Sequence, residues 1–78
     1  MKLIVDYNET SISKIINISQ FTSLYKVNDR ITFIHDFENN DYIYCKVENI
    51  DALMGKIFEF LLDDFDVLEI TYEDKYGM

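Results

Sequence analysis

The hydrophobic period of this chain changes at Asn49. Upstream of it, one-in-two alternation runs through Phe21, Ser23, Tyr25 and Val27, through Ile31, Phe33, His35 and Phe37, and through Ile43, Cys45 and Val47. A period of two belongs to pleated strands that lay one face on a core. Downstream, Leu53, Met54, Ile57, Phe58, Phe60, Leu61 and Phe65 recur at helical spacing. They cover a wide arc and leave a narrow polar stripe of Ala52, Lys56, Glu59 and Asp63. A helix apolar over so much of its girth needs a sheet to lie on.

The elements follow from that switch. Residues 21–27, 31–37 and 42–48 read as strands, with Asn28-Asp29 and Glu38-Asn39-Asn40-Asp41 as the turns of an antiparallel meander. Residues 50–64 read as one long helix, with Asn49 at its N-cap and Asp51 in the first turn, where an acid is favoured. Residues 2–7 alternate, with Leu3, Val5 and Tyr7 on one face, and residues 68–73 alternate again as a last strand. Residues 10–20 support two readings. Ile12, Ile15, Ile16 and Ser19 suit a helical stripe, but serines, asparagines and β-branched isoleucines are poor helix formers. Residues 74–78 are expected to fray.

The expected fold is therefore α+β. A small antiparallel sheet of about four to five strands carries the helix at about 50–64 on one face, with a short helix at 10–20 if that reading holds. A ferredoxin-like βαββαβ order is the alternative. Seventy-eight residues make a single domain, 1–78, and an apolar content of 49% is too high for a disordered acidic tail. Eleven isoleucines, six phenylalanines and six tyrosines supply core and interface material. A monomer or a homodimer fits that apolar content.

Cys45 has no cysteine to pair with, which fits a reducing compartment. No secretory h-region or membrane-length apolar run is present, so the expected location is the cytoplasm, with no membrane partner. Heavy use of Ile, Asn, Lys, Tyr, Phe and Asp hints at AT-rich coding DNA from a low-GC bacterium or its phage.

Charge is segregated along the chain. Residues 1–35 carry four basic residues against three acids and net +1, whereas residues 36–78 carry three lysines against twelve acids and net −9. Such a field repels nucleic acid, so direct nucleic-acid binding is not expected, and it steers basic partners to one region. Asp63, Asp64 and Asp66 crowd the C-terminal end of the helix, where the dipole disfavours each by about 0.3–1 kcal/mol. Glu69 and Glu73 stand two same-face repeats apart on the expected last strand, at roughly 6.7 Å per repeat, a spacing commensurate with phosphates along a DNA strand. With Glu59 in support, these acids are the candidate partner-binding surface. Tyr42 and Tyr44, opposite the Cys45 face of their strand, are candidate anchors. His35 and Cys45 fall among apolar neighbours and are read as structural.

No catalytic residues are assigned, and the chain is expected not to be an enzyme. No phosphate loop, dinucleotide fingerprint, zinc spacing or serine elbow occurs, and neither metal nor cofactor is implied. In profile, a short, acidic, motif-free chain is similar to phage-encoded anti-restriction and anti-CRISPR proteins, without a residue pattern in common. The expected function is a protein-binding inhibitor of that DNA-mimic type. It would occupy the basic surface of a nucleic-acid-binding protein, such as a nuclease or CRISPR effector, in the host cytoplasm if phage-encoded. An immunity protein or antitoxin against a nuclease is the close alternative. A non-catalytic adaptor or assembly subunit working through an apolar face is the other.

Overall fold

The period-two segment forms the meander its alternation requires. In the computed structural model, which describes residues 1–77, β3 (Ser23–Val27), β4 (Arg30–Ile34) and β5 (Asn40–Tyr44) pair antiparallel in that order. Asn28 turns the first hairpin at a positive φ of 52°, a conformation asparagine tolerates. Ile31, Phe33 and Ile43 lie on one face and are fully buried. The long helix α1 (Ile50–Leu62) covers that face with Ile50, Leu53, Ile57 and Phe60, as its period predicts.

The rest of the chain corrects several expectations. Residues 10–20 contain no helix: β2 (Ser11–Asn17) is a strand followed by one 3-10 turn at Ile18–Gln20. Its β-branched residues lose less side-chain freedom on a pleat than in a helix. β2 pairs antiparallel with β1 (Leu3–Asn8) through a tight turn at which Glu9 takes a φ of 50°. The final strand β6 (Val67–Ile70) adds to the other side of β1, running parallel to it. The α+β class stands, but the single sheet divides into two three-stranded sheets, β2-β1-β6 and β3-β4-β5. A βαββαβ order is excluded, because four strand-to-strand connections precede α1.

Strand ends also move. β4 stops at Ile34, so Phe37 lies in the turn, fully exposed, rather than on the inner face. Asp36 holds that turn by accepting the Glu38 and Asn39 amides at 2.8 and 3.0 Å. β5 ends at Tyr44, and Val47 enters a 3-10 turn and is exposed. In β1 the buried face is Ile4 and Asp6, while Leu3, Val5 and Tyr7 form the outer, half-exposed face. Asn49 sits at the N-cap of α1 but donates its side-chain amide to the Lys75 carbonyl at 3.0 Å instead of capping the helix.

The expected fray is largely structured. Residues 72–76 form a short helix, α2 (Tyr72–Tyr76), while residue 78 lies outside the described residues. Thr71 and Asp74 close a reciprocal capping box, with the Asp74 carboxylate accepting the Thr71 amide at 2.8 Å and the Thr71 hydroxyl accepting the Asp74 amide at 3.2 Å. Gly77 closes the other end, where a Cβ would lie 2.6 Å from the Glu73 carbonyl oxygen. Lys75 points inward at 4% exposure, and its ammonium meets the Asp6 carboxylate of β1 at 2.6 Å.

Burial raises the Asp74 carboxyl, but the Thr71 amide and the Lys56 ammonium at 2.9 Å outweigh it, so the group ends below its ordinary value of 3.8. A depressed folded value means that its stabilisation is present above 3.8 and is lost as pH falls through the folded value. Asp74→Asn should therefore cost about 1 kcal/mol at neutral pH. The gap to wild type should close in acid, as read from urea midpoints across the carboxylate range.

Candidate functional site

The aspartates after α1 sit beside a cation from the far end of the sequence. Lys2 places its ammonium against the carbonyl oxygens of Phe60, Asp63 and Phe65 at 2.7, 2.8 and 2.8 Å, and over the Phe60 ring at 4.4 Å. That is the positive charge a helix C-terminus asks for, delivered by the residue that precedes β1. Asp63 is part of the same device. Its carboxylate accepts the Phe65 amide at 2.8 Å, closing the exit turn, and lies 3.4 Å from the Lys2 ammonium. Asp63 therefore has a structural reason to be acidic.

Asp64 and Asp66 have none. Both are exposed, as are Glu59, Glu69 and Glu73, and no salt bridge among the described residues engages any of the five. Glu69 projects from the outer face of β6, opposite Val5. Glu73 is not on that strand, because β6 ends at Ile70 and Glu73 occupies the first turn of α2, where acids are favoured. The expected row of carboxylates at strand spacing is thus broken after Glu69.

Apolar side chains interleave with these acids. Phe58 is 48% exposed, Leu62 88%, Phe65 71% and Val67 50%. Phe58 and Leu62 are i, i+4 neighbours on α1, on the flank turned away from Ile57 and Phe60. The sequence carries the signal for them, since an arc as wide as that of α1 exceeds what one packing face buries. A charged surface meant only for solubility has no use for exposed phenylalanines, whereas apolar groups rimmed by polar ones mark contact surfaces.

Tyr42 and Tyr44 do not join this surface. They stand on the opposite face of the meander from α1, across from Thr32 and Arg30 of β4. Arg30 lies over the Tyr42 ring at 4.7 Å, and the two tyrosine rings are 6.4 Å apart. Tyr42 is half-buried and Tyr44 is 48% exposed. Both line a cavity that sequence reasoning missed, together with Asp6, Asn8, Ser13, Lys14, Lys75 and Tyr76.

His35 bonds the Asp41 carboxylate through Nε2 at 2.7 Å, tying the end of β4 to β5. Cys45 is buried, and that burial, reinforced by the charge of Asp29, pushes its thiol above the ordinary value. A thiol held protonated is a poor nucleophile. No cluster of three or more potential metal-ligating side chains occurs among the described residues, and no helix there is long and apolar enough to cross a membrane. No protein-family model, curated protein or solved structure matches this chain.

The three aspartates should separate by substitution. Lys2→Met should cost about 2 kcal/mol, since it strips charge-assisted bonds from the carbonyls at the end of α1. Asp63→Ala should cost about 1 kcal/mol, the scale of a lost side-chain cap. Asp64→Asn and Asp66→Asn should each stay within about 0.5 kcal/mol of wild type. Urea denaturation of the four variants checks this ordering.

Proposed function

We propose that this chain is a non-catalytic, protein-binding inhibitor that occupies a basic, nucleic-acid-binding surface of another protein. One observation carries the reading: between residues 58 and 69, exposed Phe58, Leu62, Phe65 and Val67 alternate with unpaired Glu59, Asp64, Asp66 and Glu69. Apolar side chains supply affinity once covered, and the carboxylates select a partner of opposite charge and speed the encounter. The surfaces in a cell that present dense, convergent lysine and arginine are those that hold phosphates. A nuclease or CRISPR effector is such a partner, and an immunity protein or antitoxin works by the same physics. Imitation of phosphate spacing is not required. A net charge of −8 with exposed aromatic anchors is enough to compete for such a groove.

A second reading rests on an adjoining surface that shares Val67 and Glu69 with the first. The outer face of the β2-β1-β6 sheet carries Leu3, Val5, Tyr7, Ile12, Ile15 and Val67, with Ile12 53% and Ile15 57% exposed. That face favours assembly, as an adaptor or between copies, chiefly through apolar contact.

Salt separates the two. Proteins retained on the immobilised chain from a host lysate should elute with rising ionic strength and with added nucleic acid. An Asp64→Asn/Asp66→Asn/Glu69→Gln variant, folded and equally stable, should bind the captured protein at least about tenfold more weakly at low salt. Retention indifferent to salt, to nucleic acid and to the triple substitution contradicts inhibition through charge. Loss of retention on Ile15→Lys instead would support the apolar sheet.

A further inference from the structure

A cavity of about 270 Å³ opens between the β1–β2 hairpin, β5 and α2, on the side of the meander away from α1. Its floor is the Asp6–Lys75 ion pair, each residue 4% exposed. Asp6 meets Lys75 through Oδ1. Its Oδ2 makes no hydrogen bond among the described residues. Lys75 uses one of its three donors on Asp6. Lys14, directly across the ladder from Asp6, donates to the Tyr42 carbonyl at 2.8 Å and has donors to spare. The register of β1 and β2 slips between Asp6 and Tyr7, leaving Ser13 as an extra residue at the rim. Bulges of this kind re-aim side chains and concentrate beside functional sites.

These features are unlike the rest of the molecule. On a chain of net −8, this one concavity collects two ammonium groups around a single carboxylate, and tyrosine rings wall it. A buried ion pair is seldom the most stabilising choice, since apolar residues of similar volume do as well or better. An ion pair with bonding capacity left over among the described residues, at the base of an open cavity, is a candidate for recognition.

We propose that the cavity binds a small organic anion that also carries hydroxyl or amine hydrogens. The anionic oxygens sit between Lys14 and Lys75, a hydroxyl or amine of the ligand donates to Asp6 Oδ2, and its carbon frame lies against Tyr44. The volume falls just below the roughly 300–1,000 Å³ of pockets that hold drug-sized ligands, so the occupant is smaller than those. This site is independent of the acidic surface of α1 and β6.

Nuclear magnetic resonance titration of the full chain tests it, with glycerol 3-phosphate and glycerate as the two anionic probes and glycerol as the uncharged one. At least one anion should shift the amides of Asp6, Ser13, Lys14 and Lys75 saturably, and glycerol should not. The stronger anion identifies the headgroup as phosphate or carboxylate. Lys14→Ala and Tyr44→Ala change residues outside the buried core, and each should keep the spectrum of a folded chain. Lys14→Ala should weaken binding about tenfold or more, the loss of one charge-assisted bond, and Tyr44→Ala should weaken it less. No saturable shift with either anion, equal binding of glycerol, or affinity unmoved by Lys14→Ala would overturn the proposal.

Discussion

The Asp6–Lys75 pair carries the contact between the two ends of the chain one element beyond the β1–β6 ladder, in which Asp6 lies opposite Ile70. Sixty-nine positions separate the residues, and neither is more than 5% exposed at its side chain. Taking both charges out of water costs several kcal/mol, which their attraction offsets only when both are present. The pair therefore acts as a lock rather than a source of stability. It sets the five-residue α2, too short to persist in water alone, against β1. Once α2 is held, the Lys75 carbonyl accepts from the Lys46 amide at 2.9 Å and from Asn49, so the approach to α1 is fixed as well. The cavity lies over this pair, between α2, β5 and the β1–β2 hairpin.

Lys2 works in the same manner at the other end of α1. The first six residues thus contribute charges in two directions: Asp6 toward α2, and Lys2 toward the carbonyls that α1 leaves open. Glu59, Asp64, Asp66 and Glu69, by contrast, have no salt-bridge partner among the described residues and face solvent beside exposed Phe58, Leu62, Phe65 and Val67. Fold and surface chemistry are in this sense divided. The charges that organise the chain are paired or hydrogen-bonded, and these four acids are left to the surface.

Much of the fold was legible because it depends on period. The alternation of Ile31, Phe33 and Ile43 and the helical spacing of Leu53, Ile57 and Phe60 each describe one buried face, and those faces meet. Residues 10–20 were not legible, since Ile12, Ile15 and Ile16 fit a helical stripe while Ile12, Ile16 and Ile18 fit a period of two, and the tertiary pairing with β1 decides. Nor was α2. Local alternation through Tyr72 suggested strand, and only a cap between Thr71 and Asp74 together with a partner at Asp6 makes a helix there. The candidate site was half legible. An excess of acid at a helix C-terminus implies a cation from elsewhere, though nothing local names Lys2. Asp6, Lys14 and Lys75 lie on three separated elements and read individually as ordinary surface charges.

A double-mutant cycle on Asp6 and Lys75 tests the lock most directly, with stability read by urea denaturation in a fixed concentration of stabilising osmolyte. Each single change, Asp6→Leu or Lys75→Met, strands a buried charge and should cost about 3–5 kcal/mol. The double variant leaves neither charge stranded, and it should recover most of that loss and keep the spectrum of an ordered α2. Single losses that simply add in the double variant, or a Lys75→Met chain as stable as wild type, would show that α2 is held against β1 by something other than this pair.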